Sequence, residues 1–84
     1  MPAAGETVAR IARESTRRLV AFLAARSGDL AGAEDALADA FAIALETWPL
    51  EGLPARPEAW LLTVARRRLI DGHRHGAVRE AAVA

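Results

Sequence analysis

Apolar positions recur every three or four residues in three stretches of the chain, the spacing of a helix with one buried face. In the first stretch Val8, Ile11, Ala12, Ser15, Leu19, Phe22 and Leu23 fall on one side, with Arg10, Arg13 and Arg17 on the other, which predicts a helix from about Thr7 to Ser27. Gly28 suits the left-handed position that closes a helix, and Asp29 can cap the next one through its carboxylate. So short a joint predicts two helices packed as an antiparallel pair.

The second stretch repeats Leu30, Ala33, Leu37, Ala40, Phe41, Ala44, Leu45 and Trp48 on one face and predicts a helix from Leu30 to Trp48, with alanines that permit close helix approach. Pro49 has no N–H to continue the ladder, so the run PLEGLPAR is expected to be a loop of about eight residues, long for a connection in a bundle. Pro57 suits the first position of a third helix, and Glu58 sets a carboxylate against the positive end of its dipole. There Leu61, Leu62, Val64, Ala65 and Leu69 share the face that a core requires, while Thr63, Arg67, Ile70 and Arg74 run down the other side, flanked by Arg66 and Asp71, with Trp60 at the upper edge. Gly72 is expected to end or fray this helix, since glycine in a helix interior costs about 1 kcal/mol relative to alanine. The fold class is therefore all-α: an antiparallel helical hairpin, a loop and a third, basic helix.

At 84 residues the chain has room for one small core. Residues 1–6 are expected to be a disordered N-terminus, 7–75 the helical domain, and 76–84 a tail or the start of a linker. Cysteine is absent, which removes disulfides and thiolate metal sites and suits a reducing compartment. No apolar run approaches the ~20 residues of a membrane span, and MPAAGETVAR lacks the basic-then-apolar order of a secretory signal. A soluble, cytoplasmic protein with no membrane partner is expected.

Charge changes the picture more than composition does. The net formal charge is zero, yet residues 1–28 carry +3, residues 29–51 carry −6 with no basic residue, and residues 52–84 carry +3. On the second helix Asp35, Asp39 and Glu46 align with Ala42 at spacings of four, three and four. Like charges four residues apart cost a helix a few tenths of a kcal/mol. A basic partner accounts for such a stripe, and so does plain solubility. Two surfaces of opposite sign suggest two different partners.

Catalytic chemistry is thin. His73 and His75 fall on different helix faces with no carboxylate cluster or cysteine beside them, so they read as polar tail residues rather than metal ligands. Ser15, Ser27 and Thr63 form no nucleophile and base arrangement, and no glycine-rich phosphate loop is present. Neither an enzyme nor a cofactor nor a metal is expected.

The pair AEDALADAFAIALETWP (33–49) and PEAWLLTVARRRLIDGHRH (57–75) resembles region 2 of bacterial RNA polymerase sigma factors of the sigma-70 family, specifically the extracytoplasmic-function group, over about residues 15–74. The resemblance implies that the face bearing Asp35, Asp39 and Glu46 meets the β′ clamp helices of core RNA polymerase. It implies that Trp60, Thr63, Arg66, Arg67, Asp71 and Arg74 meet the nontemplate strand of the promoter minus-ten element during melting, and that the loop with Glu51, Gly52 and Arg56 holds a flipped-out base. Arginines that track phosphates beside flat side chains that stack on bases are what single-stranded DNA requires. An anti-sigma factor is a further partner that the resemblance admits. The chain departs from the family pattern at Ala38 and Asp39, where glutamine then glutamate is common, at Ile43, where arginine is frequent, and at Gly72. Region 4, which reads the minus-thirty-five element, has no room, so the sequence is expected to be an excised domain or fragment, or unable to initiate transcription alone. The competing reading is a helical protein-interaction module, without DNA, whose acidic and basic faces pair in a dimer or with another protein.

Overall fold

The computed structural model describes the backbone of residues 4–83 and the side chains of residues 4–73. Three helices follow one another: α1 (Ala4–Ser27), α2 (Leu30–Glu51) and α3 (Pro57–Val83). Among the described residues there is no strand. Helix α2 lies between the other two and packs on both, while α1 and α3 meet over a smaller area.

The α1–α2 joint forms as its residues dictate. Gly28 adopts φ +70°, a conformation that a side chain would strain, and its N–H donates to the Ala24 carbonyl at 2.8 Å. Asp29 then caps α2, its Oδ1 accepting from the Gly32 N–H at 2.8 Å.

Because α2 has neighbours on two sides, its buried arc is wide and built from small residues: Ala33, Ala36, Ala40 and Ala44 are buried with Leu37 and Trp48. Val8, Ile11, Leu19 and Leu23 meet this arc from α1, and Leu61, Ala65 and Leu69 meet it from α3. Three of the large side chains expected in the core are exposed. Leu30 and Leu45 flank the alanine arc and stay exposed on α2, and Phe22 is exposed on α1.

The helix limits also differ from expectation. Helix α1 begins at Ala4 rather than Thr7, and Ala4 itself packs against the core. Helix α2 runs through Pro49 to Glu51, so the connection to α3 shrinks to residues 52–56 and Glu51 is a helical residue. A proline this close to the end removes one ladder bond at an exposed position, and the Gly52 N–H still closes on the Trp48 carbonyl at 2.8 Å. Gly52 then leaves the helix at φ +91°, which favours glycine. Helix α3 passes Gly72 without a break and includes residues expected as a tail. A cost of about 1 kcal/mol for one glycine is small beside the helix already paid out on either side of it.

Two polar clasps tie α3 to the α1–α2 hairpin. At its start, Arg18 Nη2 donates to Glu58 Oε2 at 2.8 Å and also pairs with Oε1. Further along, His73 Nε2 lies 2.8 Å from Asp29 Oδ2, so Asp29 bonds α3 with one oxygen while it caps α2 with the other. The expectation of His73 as a tail residue is corrected here: it is a fastening. His75 has its side chain outside the described residues.

Leu37 is 1% exposed, and Leu37→Ala should cost about 2–5 kcal/mol, a large part of the total stability of so small a domain. Urea unfolding followed by circular dichroism should show the midpoint fall with the slope nearly unchanged.

Both clasp carboxyls are held below their ordinary values. His73 is the main cause for Asp29, followed by the Gly32 N–H; for Glu58 it is the Ser15 hydroxyl, followed by Arg18. A carboxyl depressed on folding contributes stability that is complete above its unfolded value and is lost as pH falls through the folded one. From ordinary values of 3.8 and 4.5, the contribution of this pair should be intact above that range and disappear below it. Asp29→Asn with Glu58→Gln should be less stable than the parent at about pH 6 and lose less than the parent on descent to about pH 3, measured by urea midpoints.

Candidate functional site

Helical geometry advances each residue by about 100°, so the consecutive arginines Arg66, Arg67 and Arg68 cannot share a face. Arg66 turns toward α1, where it lines a hollow with Phe22, Arg26 and Ile70. Arg68 turns toward α2 and lines a groove of about 290 Å³ with Asp35 and Asp39. Arg67 stands between them, exposed, with Thr63 one turn before and Ile70 and Asp71 one turn after. Among the described residues none of the three arginines forms an ion pair. Thr63 bonds its hydroxyl back to the Ala59 carbonyl at 3.0 Å, while its exposed face remains in the stripe. The Arg74 side chain lies outside the described residues.

Trp60 is half-buried. Its ring meets Trp48 edge to face, with centroids 5.2 Å apart and planes at 66°, an arrangement favoured by the ring quadrupoles. Trp48 is 2% exposed, and its indole N–H has no hydrogen-bond partner among the described residues. Trp60 therefore covers the core with one part of its ring and shows solvent the rest.

On α2, Asp35, Asp39 and Glu46 are all exposed. The stripe meets no basic residue on its own helix, yet Arg68 reaches the same groove from α3 and offsets part of its charge. At the head of α3, Arg56 is exposed in the connection and its carbonyl accepts from the Trp60 N–H at 3.0 Å, so the loop is joined to the first turn. Glu51 and Gly52 are exposed at the other end of the connection.

Residues 11–79, most of the chain, match the family model described as sigma-70 region 2. The chain belongs to the sigma-70 region 2 family. Neither the curated proteins nor the solved structures include a match. Region 2 domains bind RNA polymerase and recognise the promoter minus-ten element, and the family in general is not enzymatic. Among the described residues no group of acidic, histidine or cysteine side chains could hold a metal, and no helix is long and apolar enough to cross a membrane.

Within this region 2 domain, the structure brings Arg66 and Ile70 together with Phe22 and Arg26. Phe22 counted as core because it falls in the apolar spacing of α1, and Arg26 went unremarked. The signal that separates them was present: Phe22 and Arg26 are four residues apart, the spacing of neighbours on one helix face. Their guanidinium-to-ring distance of 4.2 Å is a cation–π contact.

Proposed function

We propose that this region 2 domain is of the extracytoplasmic-function type and serves a bacterial, cytoplasmic sigma factor. It engages the β′ clamp helices of core RNA polymerase through α2 and the nontemplate strand of the minus-ten element through α3. The observation that carries this reading is the separation of charge onto two helices: an exposed acidic stripe of Asp35, Asp39 and Glu46, and an exposed stripe of Thr63, Arg67 and Ile70 continuing toward Arg74.

Each surface suits its proposed partner. A carboxylate stripe attracts a basic helical surface and repels DNA, so it keeps the strand on α3. Arg66, Arg67 and Arg74 supply phosphate contacts, Asp71 can accept from a base amino group, and the exposed part of Trp60 offers a stacking surface. The short connection with Glu51, Gly52 and Arg56 is proposed to receive one extruded base. Five loop residues between two helix ends lose little entropy on ordering, and Gly52 allows a base to approach the backbone closely. An anti-sigma factor would regulate the domain by covering either stripe.

Changing Asp35, Asp39 and Glu46 together to lysine should abolish co-purification with core RNA polymerase while helicity stays near the parent's, since all three side chains are exposed. A folded triple variant that still co-purifies would overturn the polymerase assignment.

Arg67→Ala should weaken binding to single-stranded DNA and reduce the magnitude of the log affinity against log salt slope by about 0.7, the amount for one phosphate contact on a single strand. Fluorescence anisotropy across a salt series measures this, and an unchanged slope would make Arg67 ordinary surface charge.

A further inference from the structure

The hollow between α1 and α3 has a volume of about 350 Å³, and its rim includes Phe22, Arg26, Arg66 and Ile70. Three features set it apart from a packing gap. Phe22 is 43% exposed although a large ring at a helix–helix seam is usually buried. The Arg26 guanidinium sits 4.2 Å from the ring centroid, and that planar group has its own stacking face. Ile70 belongs both to this rim and to the exposed stripe of α3, so the hollow opens onto the surface proposed for DNA.

The charge is one-sided. Arg26 and Arg66 form no ion pair among the described residues, and the nearby Asp29 is engaged by His73 and by the Gly32 N–H. A ligand that fits carries a flat π face with a negative group beside it. That is the chemistry of a nucleotide in a single strand.

We infer that this hollow is a second nucleotide subsite, contributed by the C-terminal half of α1. One base of the strand stacks on the Phe22–Arg26 pair, and Arg66 holds the adjoining phosphate. The inference rests on the reading that α3 binds single-stranded DNA, and it extends that surface from one helix to two.

The test uses the full chain and a fluorescein-labelled, mixed-sequence single strand of about a dozen nucleotides, within the site sizes such surfaces cover. Phe22→Leu keeps an apolar side chain but removes the ring, and it should lower affinity roughly tenfold with the salt slope unchanged, because stacking releases no counterions. Phe22→Trp should bind as well as the parent, which distinguishes a stacking role from a packing one. Arg66→Ala should lower the slope magnitude by about 0.7. Parent-like binding by Phe22→Leu overturns the subsite while leaving the α3 reading intact, and absence of binding by the parent itself overturns both. If Phe22→Leu instead weakens association with core polymerase and leaves DNA binding alone, the hollow docks protein and the inference is wrong.

Discussion

Burial of α2 from two sides is the constraint on which the rest of this domain depends. A chain of 84 residues cannot enclose a thick core, so the central helix must be approached closely by both neighbours, and alanine at 33, 36, 40 and 44 makes that possible. The larger core side chains come from all three helices: Ile11, Leu19 and Leu23 from α1, Leu37 and Trp48 from α2, and Leu61 and Leu69 from α3. The arc of α2 left to solvent holds the acidic residues. The same packing that forms the core therefore decides which α2 residues a partner can reach.

The rotation of α3 about its axis decides what it presents to solvent. The Arg18–Glu58 and His73–Asp29 clasps act near the start and further along the same helix. Individually such exposed pairs contribute little to stability. Burial of Leu61, Ala65 and Leu69 fixes the rotation of α3, so Arg67 points outward and Arg66 and Arg68 turn into separate grooves. A run of three arginines thus becomes three different electrostatic environments.

Region 2 domains work between a protein and a nucleic acid, and the zero net charge of this chain is compatible with that task because the charge is segregated by helix. The acidic α2 and the basic α3 lie in contact, with Arg68 at the boundary next to Asp35 and Asp39.

Much of this was determined by the amino-acid sequence alone, and in each case the cause is local. Asp29 caps because its carboxylate reaches an N–H three residues on, Gly28 turns because it lacks a Cβ, Pro57 starts a helix because its φ is already helical, and Asp35, Asp39 and Glu46 align because the helical period puts them there. The family motifs lie on those same helices. What only the tertiary structure decided depends on neighbours distant in sequence. Periodicity placed Phe22, Leu30 and Leu45 on apolar faces but could not say that the packed arc of each helix stops short of them. Pro49 and Gly72 carry local penalties of limited size, and a helix already extended on one or both sides absorbs them. His73 found Asp29 across 44 positions of sequence, a separation over which no local rule operates. The hollow at Phe22, Arg26, Arg66 and Ile70 exists only because α1 and α3 lie side by side, an adjacency that the pattern along a single helix cannot contain.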